Sequence, residues 1–265
     1  MSASVFSEDS EVTVVITSCG RFDLLKNTLD SFFKFNTYPI KKIIITEDSG
    51  DDAIHSAIPE QYKQYFTVIV NKPKLGQIRS IDKAYSLVDT SYIFHCEDDW
   101  DFYRTGFIED SLSVLKSDSQ AYQVWLRSFY HDVQRDYPFH SLGDKFTTKE
   151  NTVYYRLLSS KEKWQGFSFN PGLRRTSDYL KISNGYSSFF DEKNSASLVE
   201  SSLSKHMTSN NMYAAILEND AVAHTGYESH ISDKNEKKKK RKKKIRNYFI
   251  AAAVFSLGII LGNII

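Results

Sequence analysis

The sequence contains few of the residues that cross-link or interrupt a folded chain. Its 265 residues include two cysteines, five prolines and 11 glycines, whereas aromatic residues make up 14%. This composition excludes a collagen-like or disordered chain. Cys19 and Cys96 each end an apolar run, so we interpret them as reduced, buried thiols in a reducing compartment. The first residues, Met1 to Glu11, lack the positively charged start and the apolar core of a signal peptide.

Positive charge is also scarce over most of the chain. The formal net charge is +1, but ten of the 34 Lys and Arg residues lie within 234–246. Residues 1–232 therefore hold 24 basic and 31 acidic side chains, a balance of −7. An acidic body of this kind argues against nucleic-acid binding, so we expect no nucleic acid among the partners.

The C-terminal segment combines a basic run with a long apolar run. Lys237–Lys244 are eight consecutive basic residues, and Tyr248–Ile265 are 18 residues without charge. A helix of that length spans about 27 Å, close to the roughly 30 Å hydrocarbon core of a bilayer. We predict a polybasic linker over 231–246 and a single-pass C-terminal membrane anchor, a transmembrane helix, over 247–265. Because basic flanks stay on the cytosolic side, the body is expected to face the cytosol. The alternatives are a docked hydrophobic helix and, for the basic run, a nuclear-localisation signal.

Strand-like apolar runs alternate with helical patterns in the first half of the chain. Strands are predicted over Glu11–Ser18, Lys41–Thr46, Phe66–Val70 and Ser91–Cys96, and helices over Arg21–Phe35, Gly76–Val88 and Thr105–Leu115. This order predicts an α/β fold with a mostly parallel, Rossmann-like sheet and flanking helices. Ligands of such sheets bind beyond the carboxyl ends of the strands, so the polar residues that follow each strand are candidate site residues.

The pattern loosens after residue 120. The predicted elements there are strands over Ala121–Ser128, Thr152–Leu158 and Trp164–Asn170, a polar segment over Tyr130–Glu150, a helix over Ala196–Met207, and apolar stretches over Met212–Leu217 and Ala221–His224. We divide the body into a disordered N-terminus (1–10) and two halves of one domain, 11–118 and 119–230.

An acidic triplet is the strongest chemical signal in the sequence. Glu97, Asp98 and Asp99 directly follow a predicted strand. Their mutual repulsion would be costly in a partly buried site unless a cation neutralised them. Hard oxygen ligands favour Mg²⁺ or Mn²⁺, which often share their coordination with substrate phosphates. The alternative is a solvated acidic turn.

Several short patterns occur in an order that resembles a known family. They are Val12–Ser18 with Arg21, Ile43–Gly50, Asn71 with Gly76 and Arg79, and Glu97–Asp99. Together they resemble the nucleotide-binding half of glycosyltransferases with the GT-A fold, and their order and spacing are similar to family-2 enzymes. The Glu-Asp-Asp triplet and Asn170–Leu173 are more similar to the N-acetylglucosaminyltransferase I type. The resemblance is good over about 11–118, patchy over 119–230, and absent from the tail.

The resemblance implies roles for the residues of the first half. Asp99 would ligate the divalent metal, Mn²⁺ or Mg²⁺, that bridges the nucleotide diphosphate, and Glu97 and Asp98 would lie near the ribose and the donor sugar. The other nucleotide-sugar contacts implied are Asp48 at the base, Thr17 in the nucleotide pocket, and Arg21 and Arg79 near the base or the phosphates. The alternatives are a turn-capping role for Asp48, a solvated position for Arg21 and a surface salt bridge for Arg79.

The resemblance also implies a catalytic base and a further metal ligand in the second half. Glu200, near the start of a predicted helix, is the first choice for the base, with Asp191 and Glu192 as competitors. His224 is the candidate metal ligand, and His230 is the second choice. A solvated glutamate on the helix surface and a structural histidine are the alternatives.

A sugar or acceptor pocket completes the predicted site. Its candidate residues are Trp100, Trp164, Gln165 and Asn170–Gly172, including Gly172, although a tryptophan in the core is equally consistent with the sequence.

The predicted function is a metal-dependent, inverting transfer of a hexose or N-acetylhexosamine from a UDP- or GDP-linked sugar. The acceptor would be a glycan or a lipid-linked molecule at the cytosolic face of a membrane. The alternatives are an inactive, membrane-tethered GT-A-like scaffold and a nucleotidyltransferase.

Overall fold

Strands and helices alternate along residues 5–190 and 196–227, the part of the chain that the computed structural model describes. The strands are β1 Val12–Ser18, β2 Ile43–Glu47, β3 Phe66–Val70, β4 Tyr92–Glu97, β5 Trp100–Phe102, β6 Ala121–Trp125, β7 His140–Thr147, β8 Val153–Ser159, β9 Gly172–Arg175, β10 Tyr213–Leu217 and β11 Val222–His224. The α-helices are α1 Phe22–Phe35, α2 Gln77–Tyr85, α3 Phe107–Ser117, α4 Gln134–Asp136, α5 Thr176–Leu180 and α6 Ala196–Ser209. Short 3₁₀ segments cover Asp52–Ala57, Glu60–Tyr65 and Tyr186–Phe189, and a π-helical turn, Phe129–Val133, precedes α4.

A nine-stranded sheet in the order β3-β2-β1-β4-β9-β6-β10-β8-β7 carries the fold. Its first four strands are parallel to one another, as predicted. Every residue of β1 and β2 is buried, which is typical of parallel strands covered on both faces. The register pairs Thr17 with Glu97 and Ser18 with Glu47. The polar segments that follow β1, β2 and β4 therefore meet at one edge of the sheet.

The second half of the sheet is mixed rather than parallel. β9 runs antiparallel between β4 and β6, and β8 runs antiparallel to β10 and β7. Gly172 allows this close strand packing, because a Cβ atom there would lie 2.3 Å from the carbonyl oxygen of Val124. β6 and β10 are again parallel, so the predicted parallel pairing holds for the first half of the described chain and for this pair of the second half.

One sequence interpretation of the second half is wrong, and one strand was missed. Trp164–Asn170, predicted as a strand, forms turns whose backbone N–H groups at Phe167 and Phe169 donate to side chains of α6 at 2.8 Å. The apolar pattern there reflects a buried loop and not a strand. Conversely, Tyr130–Glu150, read as a polar segment, contains β7. That strand lies at the edge of the sheet and is largely exposed, so its sequence lacks the apolar signal of a buried strand.

Apolar side chains pack on both faces of the sheet. Val14 and Ile16 of β1 belong to a cluster with residues of α1 and α3, whereas Val15 belongs to a second cluster with residues of α2 and α6. Neighbouring residues of a strand point to opposite faces, so one strand supplies both clusters. The second cluster holds α2 and α6, whose ends contribute to the site, on the same face of the sheet.

The predicted disorder of residues 1–10 does not hold for residues 5–10. Phe6 is buried and its ring stacks on Tyr65 with the centroids 4.0 Å apart. The backbone N–H of Ser7 donates to the carbonyl of Ile40 at 2.9 Å. An aromatic residue that fills the space beside the 3₁₀ segments therefore holds this part of the chain on the body.

The predicted linker over 231–246 and the predicted anchor over 247–265 lie outside the described residues. Among the helices of residues 5–190 and 196–227, none combines the length and the hydropathy needed to cross a bilayer.

Both cysteines are free thiols, but only one is buried. Cys96 lies in β4 within the core. Cys19 is partly exposed, because the chain leaves the sheet after Ser18, and its Sγ lies 3.1 Å from the Nζ of Lys74. The interpretation of two buried thiols is thus correct for Cys96 and wrong for Cys19.

Candidate active site

A buried carboxylate holds the ends of β1 and β2 together at the edge of the sheet. Glu47, fully buried at the end of β2, accepts hydrogen bonds from the backbone N–H groups of Gly20 at 3.1 Å and Ser49 at 2.6 Å. Sequence reasoning missed this residue. Its signal was a carboxylate placed at the end of an otherwise apolar strand, where an unpartnered charge would be costly.

Arg21 and the acidic triplet form the centre of the site. Arg21 Nη1 lies 2.7 Å from Asp99 Oδ2, and Nη2 forms an ion pair with Asp98 Oδ1. The backbone N–H of Cys19 also donates to Asp98, at 3.3 Å. Asp98 and Asp99 are nearly completely buried, with 1% and 5% of their surface exposed. Arg21 is therefore not a solvated residue, because in this structure it pairs with Asp98 and Asp99. Its contact with the base or the phosphates of a nucleotide stays a prediction.

His224 is brought to the same carboxylate by a separate two-stranded sheet. β5 and β11 are antiparallel, and their register places His224 opposite Trp100. His224 Nε2 lies 3.3 Å from Asp99 Oδ2. Gly226 completes this approach, because a Cβ atom there would lie 2.1 Å from Asp99 Oδ2. Two residues that are 125 positions apart, and that the resemblance assigned to one metal, thus meet in the fold.

The donors at this point fit a divalent metal that also has non-protein ligands. Asp99 Oδ1 is buried and has no hydrogen-bond partner within the described residues. Asp99 offers carboxylate oxygens and His224 a ring nitrogen, and the two groups lie next to each other. No group of three or more His, Cys, Asp and Glu side chains in residues 5–190 and 196–227 has metal-binding geometry. Mg²⁺ is commonly held by one or two carboxylates with waters and substrate phosphates, so two protein ligands are compatible with it.

The electrostatics of the triplet favour an additional cation. Burial raises the pKa of Glu97 to about 8, and the charges of Asp99, Glu200 and Asp98 act in the same direction. Burial also raises the pKa of Asp98 to about 6, against the opposing charge of Arg21. Burial alone would raise the pKa of Asp99, but His224 and Arg21 lower it overall. The Arg21 guanidinium thus stabilises the ionised form of Asp99, but it does not compensate the negative charge of all three carboxylates.

Glu97 contacts helix α2 and the aromatic floor of the site. Its Oε1 accepts a hydrogen bond from Gln77 Nε2 at 3.0 Å, and its Oε2 accepts one from the indole of Trp100 at 3.4 Å. Gln77 is the first residue of α2 and was not singled out from the sequence. Its position directly after Gly76, in the loop that the resemblance marked, was the available signal.

Asp48 organises the loop between β3 and α2. Its carboxylate accepts hydrogen bonds from the backbone N–H groups of Leu75 at 2.8 Å and Gly76 at 2.9 Å, and from Ser80 Oγ at 3.0 Å. Asp48 is 5% exposed. Asp48 thus caps the loop at Leu75 and Gly76 and not the Ser49–Gly50 turn weighed from the sequence, where Glu47 accepts the N–H of Ser49. Its contact with a nucleotide base stays a prediction. Thr17 is buried at the end of β1, beside Glu97 in the register.

Helix α2 also connects the donor side of the site to the segment before α6. Arg79 is exposed, and its guanidinium lies 5.4 Å from the ring centroid of Phe190. On the same helix, Asp82 accepts hydrogen bonds from the backbone N–H groups of Tyr186 at 2.9 Å and Ser187 at 2.7 Å. Asp82 was missed, because nothing in the sequence distinguishes it from a helix carboxylate that faces solvent. Only the fold shows that it binds the backbone of a distant segment.

Glu200 lies in α6 close to the triplet. Its Oε1 accepts a hydrogen bond from the backbone N–H of Phe169 at 2.8 Å. Burial raises the pKa of Glu200 to about 7, although this hydrogen bond and the charges of Arg174 and Arg127 oppose the shift. Its charge in turn raises the pKa of Glu97. Glu200 is therefore not a solvated helix residue. Its competitors Asp191 and Glu192, and the second histidine His230, lie outside the described residues.

The residues predicted for the sugar or acceptor pocket have mixed placements. Trp100 is 1% exposed, with the His224 ring centroid 4.9 Å from its own and the Arg127 guanidinium 5.3 Å away, so it lies beneath the site. Trp164 is partly exposed and packs edge-on against Tyr137 at 4.9 Å. Gly172 is buried within β9. Sugar or acceptor contacts by these residues stay predictions.

Solved structures of similar architecture exist at low sequence identity. The mannosyltransferase PcManGT from Pyrobaculum calidifontis, in complex with GDP-Man and Mn²⁺, matches with a TM-score of 0.57 and 12% identity over 84% of this chain and 60% of that chain. Residues 1–349 of S. aureus TarS, in complex with UDP-GlcNAc, match with a TM-score of 0.57 and 12% identity over 84% of this chain and 62% of that chain. The chain therefore spans about three fifths of the length of these structures.

The fold is that of the GT-A glycosyltransferases. No curated protein has a significantly matching sequence. Residues 13–175 match the model of glycosyl transferase family 2, and the chain belongs to that family. The resemblance to family-2 GT-A enzymes that the sequence indicated is thereby confirmed.

Proposed function

We propose that this protein transfers a sugar from a nucleotide-diphosphate sugar to an acceptor hydroxyl, with inversion and with the help of Mn²⁺ or Mg²⁺. The observation that carries the proposal is the meeting of Asp99 and His224 at 3.3 Å, beside a buried oxygen of Asp99 that has no partner within the described residues. Two neighbours of the same fold were solved with GDP-Man and Mn²⁺ and with UDP-GlcNAc, which supports a GDP- or UDP-linked donor.

Asp99 and His224 would hold the metal, and the donor diphosphate and water would supply its remaining ligands. The bound metal provides Lewis-acid stabilisation of the negative charge that develops on the leaving diphosphate. Glu97 and Asp98, beside Asp99, would contact the ribose and the donor sugar, as the resemblance implies. Gln77 fixes the orientation of Glu97 through its hydrogen bond at 3.0 Å.

Glu200 is the proposed general base. The acceptor oxygen attacks the anomeric carbon as the bond to the diphosphate breaks, and the acceptor proton moves to the Glu200 carboxylate. The hydrogen bond from the backbone N–H of Phe169 orients that carboxylate. A pKa of about 7 lets it be ionised and still basic near neutral pH. General base catalysis of this kind contributes about 10²- to 10⁴-fold to the rate.

Calorimetric titration with UDP and GDP, each with and without Mn²⁺, tests the proposal directly. We expect one of the two nucleotides to bind at least tenfold more tightly when Mn²⁺ is present, because the diphosphate and Asp99 then share a cation. The preferred nucleotide then selects the sugars to be tested for metal-dependent hydrolysis and transfer. If neither nucleotide binds in a metal-dependent way, the enzyme proposal fails and the inactive-scaffold alternative gains support.

We further propose that the enzyme acts on a glycan or lipid-linked acceptor at the cytosolic surface of a membrane. The support is the sequence of the tail, in which a run of eight basic residues precedes 18 uncharged residues. Near an anionic surface, each basic residue contributes about 1 kcal/mol of attraction. Removal of residues 245–265 should move the protein from the membrane pellet to the supernatant after a salt wash. A truncated chain that still sediments with lipid would contradict the anchor.

A further inference from the structure

Arg21 contacts Asp99, the carboxylate to which the proposed function assigns a metal. Its two terminal nitrogens contact Asp98 and Asp99, one on each carboxylate. The side chains of Asp98 and Asp99 are only 1% and 8% exposed, so water compensates little of their charge. The Arg21 guanidinium is therefore a principal source of positive charge for these two carboxylates in this structure.

The guanidinium and a metal would use the same carboxylate. Arg21 Nη1 lies 2.7 Å from Asp99 Oδ2, and His224 Nε2 lies 3.3 Å from the same oxygen. A metal held by His224 and by either oxygen of Asp99 would be repelled by a guanidinium in contact with that carboxylate. A divalent cation and the observed Arg21 contact with Asp99 are thus strongly opposed.

Little besides the two carboxylates holds the guanidinium in place. The backbone of Arg21 is fixed, because its carbonyl accepts the N–H of Leu25 at the start of α1. The side-chain hydrogen bonds of Arg21 within the described residues go to Asp98 and Asp99, and its Nε has none. The side chain is 19% exposed, so it has an open side. Leaving Asp99 would consequently break few other interactions.

We infer that Arg21 is a built-in cation that keeps the metal site closed in the free enzyme and leaves Asp99 when metal and nucleotide diphosphate bind together. This inference rests on the proposed function. A metal alone must displace the guanidinium from Asp99 and cost it one of its two carboxylate partners, which weakens the binding of the metal. A diphosphate replaces the lost partner, since guanidinium groups pair well with phosphate oxygens. Metal and nucleotide should therefore bind with positive coupling, and Arg21 should be a source of that coupling.

Binding of Mn²⁺, followed by the electron paramagnetic resonance signal of the free ion, tests the inference without any turnover. The full-length protein should bind Mn²⁺ weakly alone and more tightly with UDP or GDP. Arg21→Gln should bind Mn²⁺ alone at least tenfold more tightly than wild type, within the range of typical coupling energies, and the enhancement by nucleotide should shrink accordingly. The matched control is Lys26→Gln, which removes an exposed cation of α1 that pairs with Asp30, and it should behave as wild type.

A second variant protects the test against loss of folding. Arg21→Gln leaves two buried carboxylates with less compensation, so Mn²⁺ should raise its unfolding temperature more than that of wild type. Should Arg21→Gln not fold, Arg21→Lys keeps one charge but cannot span both carboxylates, and it should bind Mn²⁺ alone more tightly than wild type. Equal Mn²⁺ affinities in wild type and the folded Arg21 variant would overturn the inference while leaving the proposed function intact, provided that nucleotide still enhances Mn²⁺ binding. Absence of Mn²⁺ binding in every variant, with or without nucleotide, would instead overturn the proposed function.

Discussion

Replacement of Asp99 by Asn should lower metal-dependent donor turnover about 10³-fold, equivalent to roughly 4 kcal/mol of transition-state stabilisation. Asn keeps the shape of the side chain, but its amide is a poor ligand for Mn²⁺ or Mg²⁺ and carries no negative charge to balance that of the metal. The change also removes the charge that Arg21 and His224 share. Initial rates at saturating donor, measured over a range of Mn²⁺ concentrations, give the size of the loss.

The matched control is Asp101→Asn, two residues along the chain. Asp101 is exposed in β5, so its amide variant should keep wild-type turnover. Circular dichroism and the unfolding temperature of both variants show whether the fold is kept. Should folded Asp99→Asn retain wild-type, Mn²⁺-dependent turnover, the assignment of Asp99 as metal ligand would be wrong.

The first half of the fold was predictable because its signals are local. Buried parallel strands are continuous apolar runs, and the helices between them show one apolar face. The triplet at the end of β4 was predictable for the same reason, because the strand's end fixes the position of Glu97. β9 was not predictable, because this four-residue strand forms only where Gly172 packs against the carbonyl of Val124. Val124 is far from Gly172 in the sequence, so no local pattern indicates that contact.

The site was predictable in its residues more than in its contacts. Asp99 and His224 were both named, but their meeting depends on the pairing of β5 with β11 across 120 residues of chain, which only the fold reveals. The pairing of Arg21 with two carboxylates was missed, because an arginine after a strand is equally consistent with solvent, phosphate or an ion pair. Glu47 and Asp82 escaped notice because their roles rest on backbone N–H groups from distant segments.

Replacement of Glu200 by Gln should lower kcat by about 10²- to 10⁴-fold while the affinity for nucleotide and Mn²⁺ changes less than threefold. The amide can still accept the hydrogen bond from Phe169, so the position of α6 should be kept, but it cannot take the acceptor proton. Glu60→Gln is a suitable control, since that side chain is 83% exposed and pairs with Lys63 within its own short helix. Unaltered turnover in folded Glu200→Gln would move the search for the base to Asp191 or Glu192.

The pH dependence of the reaction rate, measured for wild type and Glu200→Gln, distinguishes a general base from a structural carboxylate. Burial raises the pKa of Glu200 to about 7, so below that pH the group is protonated and cannot accept a proton. The value of kcat/KM for wild type should therefore rise with pH and level off above about 7, and the inflection should move lower when bound metal favours the ionised carboxylate. The small residual rate of Glu200→Gln should lack this rise. A wild-type rate that falls between pH 5 and 7 would exclude Glu200 as the general base, because loss of a proton would then impair the reaction that it is required to support.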